Sequence, residues 1–136
     1  MGNKNGQEAK VWRLLDANAN RAREGLRVVE DTARFILDRP DASTALRQMR
    51  HKLDQLVRGH YPTLLQHRDT ASDPGRENPS KPHSGGVLGL LAANFKRCEE
   101  AFRVLEEYGR VVSPRAVKGA QALRYEVYQW EKKLLS

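Results

Sequence analysis

One helix is written twice in this chain, and that constrains the fold more than any other feature. NANRAREGLRVVED, from Asn18 to Asp31, returns 76 residues later as NFKRCEEAFRVLEE, from Asn94 to Glu107. Ala17-Asn18 matches Ala93-Asn94, Arg21 matches Arg97 and Glu24 matches Glu100. Arg27-Val28 matches Arg103-Val104, Glu30 matches Glu106 and Arg34 matches Arg110. Further on, Met49-Arg50-His51 lines up with Leu123-Arg124-Tyr125. A helical hairpin used twice predicts an all-α chain. The expected fold is a four-helix antiparallel bundle with approximate internal two-fold symmetry, the two hairpins being joined by a long loop.

Periodicity places the helices. From about Glu8 to Asp38, apolar residues fall at Val11, Leu14, Leu15, Ala22, Leu26, Val29, Ala33 and Ile36, which is helical spacing rather than strand alternation. Such a helix spans roughly 45 Å. Pro40 ends it, and Asp41 or Ser43 can cap a second helix carrying Leu46, Met49, Leu53, Leu56 and Val57 on one face. A third helix runs from about Val87 to Val112, on a stripe of Leu90, Leu91, Cys98, Phe102, Leu105 and Val112. Ser113-Pro114 opens a fourth, with Leu123, Val127, Trp130 and Leu134 inward. The whole, 1–136, reads as one helical domain. Repeat 1 covers about 8–58, a functional loop about 59–86 and repeat 2 about 87–135. That loop holds Pro62, Pro74, Pro79 and Pro82, and structureless loops of this length in compact domains are usually functional or disordered.

Composition narrows the function classes. The 136 residues carry 24 basic and 17 acidic side chains, a net charge of +7, and 16 of the basic residues are arginine. Arginine's planar fork suits phosphate and carboxylate, so an anionic ligand is expected. A single cysteine, Cys98, excludes an intramolecular disulfide and fits a reducing, cytoplasmic setting. No apolar run of membrane-spanning length occurs, and the polar opening MGNKNGQ reads as frayed. Aromatic residues are few and not interleaved with the arginines, which argues against a nucleic-acid stacking surface. The pattern GxxxxGK[ST] is absent, as is any Glu-x-x-His pair for a di-iron bundle. His51, His60, His67 and His83 lack zinc-like spacing.

Polar residues interrupt the apolar stripe at matching places. Asn18 and Asn94 lie on the apolar face, where a buried amide must be bonded, and an interhelical hydrogen bond is the plain alternative to ligand binding. The pairs Glu24–Arg27, Arg27–Glu30 and Glu30–Arg34 have ladder spacing, and Arg23 and Arg34 read as surface ladder only. In the loop, His67-Arg68-Asp69-Thr70-Ala71-Ser72-Asp73-Pro74-Gly75 gathers carboxylates of the kind that hold Mg²⁺ beside a phosphate, or simply forms a polar turn. Ser84-Gly85-Gly86 precedes a helix start, a place that can present N–H groups to an anion.

DANANRAREGLRVVEDTARFIL, the RH of QMRHKL, RDTASDPG, AANFKRCEEAFRVLEEYGR and LRYEVY occur in this order over nearly the whole chain. Together they resemble a family of small bacterial hydroxymethylpyrimidine phosphate kinases, which stand alone or are fused ahead of thiamine phosphate synthase. The resemblance implies transfer of a phosphoryl group from ATP, with Mg²⁺, to 4-amino-5-hydroxymethyl-2-methylpyrimidine phosphate in thiamine biosynthesis.

Charge and spacing then suggest roles. Asn18, Arg21, Arg27, Asn94, Arg97 and Arg103 are expected to line a cleft between the repeats and hold phosphates, with Arg50, His51 and Arg124 reaching in. Asp69 and Asp73 are expected to hold Mg²⁺ and Arg68 to act, with Asp69, on the transferred group. Glu24, Glu30, Glu100 and Glu106 are expected to orient arginines, or to serve as alternative metal ligands. The rival reading is a non-catalytic phosphopyrimidine-binding domain, or an adaptor for thiamine phosphate synthase. A homodimer could bury exposed stripe residues. No nucleic-acid or membrane partner is expected.

Overall fold

The computed structural model describes residues 4–82 and 85–136. Every regular element among them is helical. These are α1 (Lys4–Asp31) running into a π-helical segment (Thr32–Ile36), α2 (Pro40–Arg58), α3 (Tyr61–His67), a 3₁₀ turn (Pro74–Glu77), α4 (Gly86–Val112) and α5 (Pro114–Leu135). The expected tally of four helices is therefore one short. His83 and Ser84 lie outside the described residues, and so does the Ser84 part of the anticipated anion turn. Gly86 opens α4 with a φ of +63°, a conformation open to glycine.

Proline marks where several of the helices begin. Pro40, Pro62, Pro74 and Pro114 each sit in the first turn of a helix, where the missing N–H costs no intrahelical bond. Pro62 and Pro74 therefore start helical turns inside what reads as a plain loop. Pro40 begins α2, and neither Asp41 nor Ser43 is its N-cap; Arg39 is. α1 begins at Lys4, earlier than the apolar stripe indicates. Its far end widens into the π segment, where Leu37 N–H reaches the Thr32 carbonyl at 3.0 Å. Asp38, at φ 52°, then reverses the chain. Ile36, expected inside, is 59% exposed because the widened turn rotates it outward.

The order of contacts gives the packing. Along α1, Trp12, Arg23 and Glu30 meet His60, Asp54 and Arg50, so α1 and α2 run antiparallel. Glu106 meets Arg124 and Lys96 meets Glu131, so α4 and α5 do the same. Ala22 meets Cys98, while Leu15 and Leu105 line one small apolar cavity, so α1 and α4 also lie antiparallel. The buried core is Leu15, Ala22, Leu26, Val29, Leu46, Met49, Leu53, Leu91, Phe95, Cys98, Phe102, Leu105, Leu123 and Val127, close to the expected stripes. Burying each large side chain contributes about 1.5–3 kcal/mol. α3 lies against α1 through Leu64, and His60 Nε2 meets Ser113 Oγ at 2.9 Å across the bundle end.

Candidate functional site

α1 and α4 diverge on one side to leave a cleft of about 840 Å³. Asn18, Arg21 and Glu24 line it from α1, and Asn94, Arg97 and Glu100 from α4. Gly25, Val28, Ala101 and Val104 form the apolar part of its wall, and Gly75 and Ser80 reach it from the connecting loop. Because α1 and α4 cross where equivalent residues meet, both copies of the motif open onto the same space.

The two asparagines are bonded alike. Asn18 Nδ2 donates to the Leu14 carbonyl at 3.0 Å and Asn94 Nδ2 to the Leu90 carbonyl at 2.9 Å. The bond is within one helix, not between helices. It fixes each carboxamide with its nitrogen turned back and its oxygen without a hydrogen-bond donor among the described residues. Arg21 and Arg97 are exposed and make no ion pair among the described residues. The two cations and the two carboxamides thus line the cleft together with the Glu24 and Glu100 carboxylates.

The other expected phosphate ligands lie elsewhere. Arg27 pairs with Asp31 at 3.3 Å and Arg103 with Glu107 at 3.2 Å, both on exposed surface outside the cleft. Glu30 faces α2, not Arg27 or Arg34, and meets Arg50 at 3.1 Å. Glu106 is held by Arg124 in the same way from α5. Burial is the reason: these carboxylates lie inside the helix pairs, and a buried charge requires an opposite charge from the neighbouring helix. Glu30 and Glu106 therefore engage Arg50 and Arg124 rather than arginines of the cleft. Arg124 and Arg103 do border a separate depression between α4 and α5. His51 is exposed on α2. Arg23, expected in a surface ladder, joins Asn20 and approaches Asp54 of α2 at 3.8 Å.

A smaller pocket of about 210 Å³ adjoins the cleft and shares Arg21 and Glu24 with it. Arg68, Asp69, Thr70 and Asp73 of the loop line its other side. Arg68 is already engaged there: Nε and Nη2 each donate to an Asp16 carboxylate oxygen at 2.8 Å. Asp69 Oδ1 accepts from the Ser72 N–H at 3.1 Å, and Asp73 Oδ1 from the Gly75 N–H at 2.8 Å. These carboxylates shape the turns that bring the loop to the cleft. Among the described residues no three His, Cys, Asp or Glu side chains gather as a metal-holding group.

Asp16, Arg13 and Glu99 went unnoticed in the sequence. A carboxylate beside the stripe of Val11, Leu15 and Ala19 is a signal of pairing, but sequence spacing alone does not supply Arg68, 52 residues away, as the partner. Glu99 is 5% exposed and its Oε2 lacks a hydrogen-bond partner among the described residues. Burial first, and Glu131 second, push its carboxyl up to about 7.

Fold and site define an all-helical protein with a polar, arginine-lined cleft between two sequence-related helices. The chain belongs to the ThiD2 family, whose profile matches residues 13–133. It is 41% identical over 127 residues to a thiamine-phosphate synthase of Nostoc punctiforme, covering 92% of this chain and 35% of that protein. It is 42% identical over 133 residues to a thiamine-phosphate synthase of Parasynechococcus marenigrum, covering 96% and 37%. A Prochlorococcus marinus thiamine-phosphate synthase is 42% identical over 126 residues, covering 91% and 35%. The chain thus spans little more than a third of these relatives' length. No solved structure matches it significantly. These names overturn the expected hydroxymethylpyrimidine phosphate kinase, because thiamine-phosphate synthase is a different enzyme. Arg68, expected on a transferred phosphoryl group, is paired with Asp16 in this structure. No described helix is long and apolar enough to cross a membrane.

Proposed function

We propose that this chain is a binding module for a phosphorylated aminopyrimidine, serving thiamine-phosphate synthase chemistry. The observation that carries this reading is the duplicated set around one cleft: Asn18, Arg21 and Glu24 facing Asn94, Arg97 and Glu100. Arg21 and Arg97 would hold the phosphate through charge-assisted bonds. The Asn18 and Asn94 oxygens would accept from the exocyclic amine of the ring, and the Val28 and Val104 wall would cover its face. Glu24 and Glu100 would steer the arginines.

In this proposal the protein is two copies of one hairpin in a four-helix bundle, which is supported by pairs that recur at equivalent places. Glu30–Arg50 recurs as Glu106–Arg124, Arg27–Asp31 as Arg103–Glu107, and the Asn18 bond as the Asn94 bond. A second role, docking on the synthase, is favoured by the share of the relatives this chain spans, since each carries nearly two further thirds.

Calorimetric titration with 4-amino-5-hydroxymethyl-2-methylpyrimidine phosphate tests the proposal. Saturable binding is expected, weakened about tenfold or more by Arg21→Ala or Arg97→Ala, the size of one charged hydrogen bond. No heat and no competition at millimolar ligand would sink it.

A further inference from the structure

We propose that Asp16 is a positioning residue that makes a two-fold-symmetric cleft one-sided, by fastening the Arg68–Ser80 segment over its Arg21 half. This rests on the binding role of the cleft given above. The two helices that form the cleft repeat each other, so Arg21 and Arg97 begin as equivalents. What distinguishes them is the Arg68–Ser80 segment, whose hydrogen bonds to the helices come, among the described residues, from α1 of the first repeat.

Asp16 is 5% exposed, and both its oxygens are taken by Arg68 at 2.8 Å. Asn20 Nδ2 adds a longer contact to the same carboxylate at 3.4 Å. One turn earlier, Arg13 Nη2 donates to the Asp69 carbonyl at 3.0 Å. The second repeat has Gly89 where the first has Arg13, and Ala92 where it has Asp16. Neither can fasten a loop. From this anchor the chain passes through the turns at Asp69 and Asp73 and puts Gly75 and Ser80 on the cleft. The adjoining pocket, which shares Arg21 and Glu24 with the cleft, is walled by that segment. Nothing comparable borders Arg97 among the described residues.

A two-pronged guanidinium–carboxylate pair with a buried acceptor fixes direction as well as distance. The latch therefore sets which end of an unsymmetrical ligand lies under the loop. A small symmetric anion gains nothing from it, whereas a ring carrying a phosphate at one end does. Asp16 thereby acts on selectivity through Arg68 and the loop, without touching the ligand.

The test compares the full chain with Asp16→Asn, Arg68→Gln and the double variant. Hydrogen exchange of the unliganded protein is read at the Ser72 and Gly75 amides. Titrations use 4-amino-5-hydroxymethyl-2-methylpyrimidine phosphate and inorganic phosphate as probes. Both single variants should speed exchange at the two amides, with the α1 and α4 amides unchanged. They should weaken the pyrimidine phosphate about tenfold while inorganic phosphate stays within about twofold. The double variant should be no worse than either single, as expected for one shared interaction. Arg68 lies on the surface, so its variant keeps the test open if Asp16→Asn fails to fold. Equal weakening of both probes, or unchanged exchange at Ser72 and Gly75, would overturn the assignment. If the unaltered chain binds neither probe, the binding reading falls; the latch then stands or falls on the exchange result alone.

Discussion

Cys98 and Ala22, which occupy the same place in the two repeats, touch each other: Cys98 Sγ lies 3.8 Å from the Ala22 carbonyl oxygen. Two residues at matching places of the sequence repeat thus meet between α1 and α4. α1 and α4 are in contact here, and the cleft, which Gly25 lines, lies beside this point. Gly25 permits the approach, because a Cβ built on it would lie 2.7 Å from Cys98 Sγ.

Gly25→Ala is therefore expected to destabilise, although alanine gains up to about 1 kcal/mol of helix propensity over glycine. Overpacking of this kind costs about 1–3 kcal/mol. Gly25→Ala combined with Cys98→Ala should recover stability beyond the sum of the single changes. Urea unfolding of the four-member cycle checks this, and additivity would refute the contact.

Cys98 is fully buried, and burial pushes its thiol up to about 12. It stays protonated near neutral pH, so a thiol reagent should label it at the rate of unfolding or local opening. Labelling in native buffer as fast as in denaturant would contradict the packing.

The interior pairs differ in depth. Arg124 and Glu106 are 11% and 2% exposed at the side chain, against 18% and 7% for Arg50 and Glu30. Removing one partner of a buried pair costs about 3–5 kcal/mol because the other charge is stranded. Arg124→Ala should thus cost more than Arg50→Ala. Replacing Arg124 with Met and Glu106 with Leu together should cost less than Arg124→Ala alone. Chemical denaturation midpoints measure both comparisons.

Helix type and the inward stripes were legible because Leu26, Met49, Phe102 and Leu123 follow a period that only one face of a helix satisfies. The repeat also put Asn18 with Asn94, and Arg21 with Arg97, on one cleft. The roles of Arg27 and Arg50 were not legible. Both lie within one motif region or its partner helix, yet a few tens of degrees around the helix axis decide between a cleft, a neighbouring helix and solvent. Spacing also does not reveal contacts at long range. Asp16 needed the folded loop to show Arg68, and Glu99 needed burial to stand out from an exposed Glu100. α3 was hidden because Pro62 reads as a loop residue when its helix is only seven residues long.

Stability should fall as pH rises through the Glu99 range. Its carboxyl is raised from 4.5 to about 7 by burial and by Glu131, with Lys96 opposing the shift. Below pH 4.5 the group is protonated in both states and contributes its full benefit. Between pH 4.5 and about 7 the folded state keeps the proton that the unfolded chain has released, so each step upward weakens the fold. Above that range the loss is complete and the slope vanishes. Glu99→Gln, neutral throughout, should flatten this part of the curve and be relatively more stable at pH 8. Unfolding free energies measured from pH 4 to 8 on both proteins decide it; parallel curves would exclude Glu99 as the source.

The arginines give the sharpest separation between site and scaffold. Arg21 and Arg97 border the cleft without an ion pair among the described residues, while Arg27 and Arg103 are each engaged by a carboxylate one turn on. Exposed pairs of the latter kind are worth about 0.3–0.5 kcal/mol. Arg27→Ala and Arg103→Ala should therefore leave both stability and affinity for a pyrimidine phosphate nearly unchanged. Arg21→Ala and Arg97→Ala should leave stability unchanged but weaken binding by about 1.5–3 kcal/mol, or roughly ten- to a hundredfold. Binding by the unaltered chain should also weaken with added salt, less steeply once either cleft arginine is gone. Titrations of the four variants at two salt concentrations test the division. A loss at Arg27 or Arg103 equal to that at Arg21 would place the anion outside the cleft, on the exposed faces of α1 and α4.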